Sequence, residues 1–205
     1  MTSLEERPLT ITNDDVRLEA AIHYGEGALA AVVLHPHPQH GGDMDNHVVT
    51  AVAAALAGRG ATTIRFNFRG TGASTGIYAG GHGEASDARA AVVAAHEAAP
   101  EAKLILVGYS FGAMIAAAIA AEVDPAALIL ISPPVGMSPL PDRDPGVPTL
   151  VVAGDRDQIA PAATVQAMAA TNCRIVVVSG VDHSWWPDID LLADEIETFL
   201  DSLRC

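Results

Sequence analysis

The chain has 205 residues, half of them hydrophobic, enough to bury the core of a globular domain. Only 18% are charged, which excludes a polyelectrolyte-like disordered chain. Acids outnumber lysine and arginine 25 to 11, leaving a formal charge of -14 that disfavours nucleic acid, anionic membranes and polyanionic substrates as partners.

Residues 1–7 are polar and acidic, without the apolar core of a secretion signal. No apolar run reaches the ~20 residues of a membrane span. The two cysteines, Cys173 and Cys205, make no disulfide framework, and Cys173 is expected at the edge of a buried strand. A cytoplasmic protein is the simplest expectation. There is no internal repeat and no dividing linker, so 1–205 reads as a single domain.

The elements alternate in type along the chain. A strand pair is expected at 9–12 and 16–24, then a buried strand at 30–35. An alanine-rich helix at 48–59 ends at Gly60, and a strand follows at 61–66. A helix at 86–97 stops near Pro100. Next come a strand at 103–108, a helix at 111–122, and strands at 127–131 and 147–153 around a proline-rich turn. Pro161 opens a helix to 170, in the first-turn position where its missing N–H costs little. A strand at 174–179 and a helix at 188–203 close the chain. Short strands alternating with helices predict an α/β fold: a mostly parallel sheet with helices on both faces.

Gly108-Tyr109-Ser110-Phe111-Gly112 matches G-x-S-x-G between a strand and a helix. In that context the serine sits on a sharp turn, and the glycines leave room for the crossing backbones. The chain here resembles the α/β-hydrolase superfamily, over almost its whole length. That family's order is serine, acid, histidine. Ser110 is followed by Gly154-Asp155-Arg156-Asp157 and then by Asp182-His183, each after an expected strand. The family's acid motif lands on Asp157. Asp155 is the rival, equally suited to shaping the turn. The resemblance implies Ser110 as nucleophile, His183 as base and Asp157 as the acid that orients it.

The strand at 30–35 leads into His35-Pro36-His37-Pro38 and on through Gly41, Gly42, Met44 and Asn46. In this fold that loop supplies one oxyanion N–H. Proline has none. His35 and His37 keep theirs; the resemblance implies His37 as the donor, with Phe111 as the second, and the prolines are expected to hold the loop extended. The segment is similar to that of small lidless hydrolases related to carboxylesterases and, more distantly, to dienelactone hydrolases and prolyl-oligopeptidase-like enzymes. It departs from dienelactone hydrolases in carrying serine rather than cysteine as nucleophile. A metal at His35, His37, His40, Asp43, Asp45 and His47 is the competing reading of the loop; no metal or other cofactor is expected. Arg69 and the glycines around it read as structural, with Arg69 anchoring loops on the acid side.

The span 132–146 is short and rich in proline, including Pro139, Pro141 and Pro145, so it makes a rim and no cap domain. Trp185 and Trp186 read as substrate-binding residues of that rim, the alternative being burial beneath the last helix. The expected function is a carboxylesterase cleaving a small-molecule ester through a Ser110 acyl-enzyme. Thioesterase, peptidase and perhydrolase activities would use the same groups, and a non-catalytic binding module on this scaffold is the non-enzyme alternative.

Overall fold

The computed structural model describes residues 5–138, 140, 146–168 and 172–203. Strands β1 (Arg7–Asn13) and β2 (Val16–His23) pair antiparallel, with Leu9 opposite Ala20. Ile11, Leu18, Ala20 and Ile22 turn to the core from alternate positions, as the two-residue period of a strand requires.

Six strands complete the sheet: β3 (Leu29–Leu34), β4 (Thr62–Phe66), β5 (Lys103–Tyr109), β6 (Ala127–Ile131), β7 (Thr149–Gly154) and β8 (Cys173–Val178). Their order is β1-β2-β4-β3-β5-β6-β7-β8. β2 meets β4 antiparallel, and every pairing beyond β4 is parallel. Strands covered on both faces read as unbroken apolar runs, as β3 and β6 do. In β3, Ala30, Val32 and Leu34 enter one core cluster, while Ala31 and Val33 enter the other.

Helices cover both faces, as expected. α2 (His82–Ala98), α3 (Phe111–Val123) and α4 (Ala162–Gln166) close the first cluster with Ala88, Ala91, Ile115, Ile119 and Val165. α1 (His47–Gly58) and α5 (Ile189–Ser202) close the second with Val52, Leu56, Leu192, Ile196 and Phe199.

Helix α2 begins earlier than its composition suggests. The buried Glu84 carboxylate accepts the N–H groups of Ala79 (2.8 Å) and Gly81 (2.7 Å), which organises a start the glycines do not advertise. α4 is shorter than the expected 161–170, and 169–171 lie outside the described residues. Gly60 follows α1 with φ +82°, the left-handed stop expected of it. Cys173 opens β8 and is half-buried; Cys205 lies outside the described residues.

Between β6 and β7 no helix or strand occurs among the described residues; Pro139, Pro141 and Pro145 fall outside them. No helix among the described residues is long and apolar enough to cross a membrane. The parallel strands bring the loops after β3, β5, β7 and β8 to one edge of the sheet, where the site lies.

Candidate active site

Ser110 follows β5 directly and precedes α3, with φ 54° and ψ -116°. An L residue rarely adopts that conformation, and it costs on the order of 1–3 kcal/mol. The two glycines make it possible. A Cβ on Gly108 would lie 2.2 Å from the Gly112 oxygen, and one on Gly112 would lie 2.4 Å from the Leu34 oxygen. Close approach of three backbones therefore demands glycine at both places. The Ser110 N–H is tied to the Ile131 oxygen at 2.8 Å. Phe111, as first residue of α3, has no acceptor for its own N–H within the helix.

His183 Nε2 lies 3.0 Å from Ser110 Oγ. Its Nδ1 lies 2.8 Å and 3.0 Å from the two Asp157 carboxylate oxygens. Oδ1 of Asp157 also accepts the N–H groups of Ile159 (2.9 Å) and Ala160 (2.8 Å). With a carboxylate at Nδ1, the imidazole keeps its proton there and offers a lone pair to the serine. Burial pushes the Asp157 carboxyl up, but the hydrogen bonds from His183 and Ala160 outweigh it and hold the group below its ordinary value. Asp155 faces elsewhere. Its carboxylate takes Ser179 Oγ at 2.9 Å and the Gly180 N–H at 2.7 Å, a turn-shaping pattern that lowers its pKa chiefly through the Gly180 bond.

The loop after β3 comes against the start of α3. The rings of His37 and Phe111 lie 4.8 Å apart. The loop is not extended throughout: Pro38–His40 forms a 3₁₀ turn. The turn arises because the His37 carbonyl accepts the N–H groups of both His40 and Gly42, each at 3.0 Å. Gly42 must approach closely, since a Cβ there would lie 2.2 Å from the Pro36 oxygen. Met44 is buried, and its N–H donates to Asn67 Oδ1 at 2.7 Å. Asn46 caps α1 by accepting the Val48 N–H at 3.0 Å. The glycines, Met44 and Asn46 thus shape the loop.

His35, His37, Asp45 and His47, four of the six candidate metal ligands, are engaged with protein partners. His35 is wholly buried; its Nδ1 donates to the Pro36 oxygen at 2.6 Å and its Nε2 accepts the Phe68 N–H at 3.0 Å. Burial pushes its pKa down to about 4. His37 Nδ1 accepts the Gln39 N–H, so its Nε2 carries the proton toward the Tyr78 hydroxyl, 3.2 Å away. Asp45 pairs with Arg65, and His47 Nε2 donates to the Ser184 oxygen at 2.7 Å. Among the described residues no group of three or more His, Cys, Asp or Glu could hold a metal ion.

Two expectations need correction. Trp185 is fully buried and so does not line the rim. It packs with Val181, Leu192 and Phe199 beneath α5, and its Nε1–H donates to Ser132 Oγ at 3.0 Å. Trp186 is 71% exposed, its ring 5.9 Å from that of His47. Arg69 does not serve the acid side. It follows β4 and forks onto the buried Asp87 of α2 at 3.0 Å and 2.7 Å, while Asp157 follows β7, four strands away in the sheet. Spacing alone gave no hint of another contact: the Tyr109 hydroxyl donates to the His183 backbone oxygen at 2.7 Å. The only signal was its place as the first variable residue of the G-x-S-x-G motif.

A family model described as an alpha/beta hydrolase domain matches residues 30–195. An uncharacterized protein of Rickettsia prowazekii is 33% identical over 174 residues, covering 75% of this chain and 70% of that protein. One of Mycobacterium tuberculosis is 33% identical over 187 residues, covering 78% of this chain but only 64% of its own length. Among solved structures, an alpha-beta serine hydrolase homologue from Coxiella burnetii superimposes with TM-score 0.85 and 34% identity, over 95% of this chain and 96% of that one. A serine hydrolase without lid from Xanthomonas campestris gives TM-score 0.89 and 31% identity, over 98% and 96%.

Proposed function

The chain belongs to the alpha/beta hydrolase family, and from that premise we propose that it is a carboxylesterase that cleaves small esters through a Ser110 acyl-enzyme. The observation that carries this reading is the continuous hydrogen-bonded chain from Ser110 Oγ through His183 to Asp157.

The chemistry follows from that chain. A serine hydroxyl is a weak nucleophile until a base accepts its proton. His183 Nε2 takes the proton as Oγ bonds to the ester carbonyl carbon. The carbonyl oxygen gains negative charge, and the N–H groups of His37 and Phe111 stabilise it; such a donor is worth on the order of 10²–10³ in rate. His183 then delivers the proton to the departing alkoxide, and the C–O bond breaks. Water, deprotonated by the same imidazole, attacks the acyl carbon, the bond to Ser110 Oγ breaks as His183 returns the proton to that oxygen, and the acid is released. Asp157 fixes the Nδ1–H tautomer and stabilises the imidazolium throughout.

The lack of any helix or strand between β6 and β7 among the described residues supports an open site and a small substrate. Trp186, exposed beside His47, is the proposed substrate contact on the rim. A pair of cysteines in 205 residues suits a reducing compartment, and a cytoplasmic setting is part of the same proposal.

Mass spectrometry after incubation with a fluorophosphonate tests the reading. One adduct on Ser110 is expected, absent from Ser110→Ala. An unlabelled wild type, under conditions that label a control hydrolase, would overturn it in favour of a binding module.

A further inference from the structure

We infer that Tyr109, together with His47 and Trp185, is a positioning residue that sets His183 against Ser110; the inference rests on reading those two as base and nucleophile. Tyr109 ends β5 and is the peptide neighbour of Ser110. Its side chain is 5% exposed, and its hydroxyl donates to the carbonyl of His183 itself at 2.7 Å. The phenol ring lies 5.6 Å from the imidazole at an interplanar angle of 32°. One residue thus touches both partners of the proton transfer, one through a peptide bond and the other through a hydrogen bond.

The base needs such a tie. His183 stands between β8 and α5 on a segment without regular structure, and Trp185 within it has φ 58°. With few regular backbone bonds, among them Arg156 N–H to the Val181 oxygen at 3.0 Å, such a loop depends on tertiary contacts to hold its shape. Three contacts come from three separate elements. Tyr109 of β5 takes the carbonyl of residue 183, and His47 at the start of α1 takes the carbonyl of residue 184 at 2.7 Å. Trp185 reaches out of the loop to Ser132, just past β6, at 3.0 Å. Ser132 has φ 43° and belongs, with Ser110 and Trp185, to the few non-glycine residues at positive φ. Such conformations persist where surrounding structure enforces them.

Core packing alone does not account for the phenol. A phenylalanine would fill the same volume against Val33, Val107 and Ile131. A buried hydroxyl needs a partner, and here the partner is the carbonyl of the base.

The test combines two rates. The second-order rate of fluorophosphonate labelling is measured together with kcat and KM for p-nitrophenyl acetate. The proteins are wild type, Ser110→Ala, Tyr109→Phe, His47→Ala and His47→Gln. Misplacing a catalytic group by about 1 Å costs on the order of 10² in rate. Tyr109→Phe is therefore expected to slow labelling and kcat by roughly 10- to 100-fold with KM changed less than about 2-fold. His47→Ala is expected to slow both, and His47→Gln, whose amide can donate to the same carbonyl, to restore most of the loss.

Wild-type labelling and kcat in Tyr109→Phe would overturn the inference. If that variant does not fold, equal rates for His47→Ala and His47→Gln would overturn it instead. A wild type that resists labelling, or labelling that survives Ser110→Ala, would sink the nucleophile reading and this inference with it. Labelling confined to Ser110 with unaffected variants would sink this inference alone.

Discussion

Replacing Asp157 by asparagine alters one atom and reverses the hydrogen bond on which the imidazole depends. Oδ1 of Asp157 faces two backbone donors, the N–H groups of Ile159 at 2.9 Å and Ala160 at 2.8 Å. An asparagine must place its oxygen there, because its NH₂ would otherwise oppose both donors. Each orphaned buried donor costs about 1–3 kcal/mol, so the amide orientation is held by about 2–6 kcal/mol. The NH₂ then occupies the Oδ2 position, 2.8 Å from His183 Nδ1, and donates to it. The imidazole proton moves to Nε2, the atom 3.0 Å from Ser110 Oγ, which can no longer accept the serine proton. Recovering the productive tautomer requires flipping the amide against about 2–6 kcal/mol, a loss of roughly 30- to 3 × 10⁴-fold in acylation. Stopped-flow acylation by an activated p-nitrophenyl ester measures it directly. Asp155→Asn is the control, expected to stay within about 3-fold because its partners are Ser179 and Gly180. Asp157→Asn retaining more than about a third of the wild-type rate would refute the reasoning.

Three further outcomes follow from the same geometry. The His35 pKa is about 4 in the fold against 6.5 ordinarily, so the unfolded chain takes up that proton first. Stability is then complete above pH ~6.5 and falls by on the order of 3 kcal/mol toward pH ~4, a slope that urea titrations should find flattened in His35→Gln. Asp157, whose carboxyl is held below 3.8, keeps its contribution above that value and gives it up only as the pH falls further. Gly108→Ala puts a Cβ 2.2–2.5 Å from Gly112 and Ala113 backbone atoms, so it should cost more than about 4 kcal/mol; a melting temperature near that of wild type would contradict the packing described. The adjacent tryptophans should separate cleanly by calorimetry. The buried Trp185→Ala should lose about 3–5 kcal/mol, and the exposed Trp186→Ala should lose less than about 0.5 kcal/mol while raising KM.

What could be read from the sequence was local or periodic. The runs expected at 30–35 and 127–131 announce buried parallel strands because they are apolar almost without break, and the first is observed at Leu29–Leu34. The glycines of the elbow are legible because a turn with crossing backbones admits little else. The choice of Asp157 over Asp155 came from motif position; only the fold shows why, since two residues in one loop point to different partners. Trp185 and Trp186 are neighbours of identical chemistry, yet one is core and the other surface. No local pattern distinguishes them, because the difference depends on where α5 lies, and α5 is placed by packing on α1 and the sheet. Arg69 finds Asp87 rather than the acid side for a similar reason: the order of strands, decided by long-range pairing, puts β4 and β7 far apart. Tyr109 is the sharpest case. Its place beside Ser110 is covalent and visible in the sequence, but its hydrogen bond spans 74 residues to His183 and exists only once both loops meet at the sheet edge.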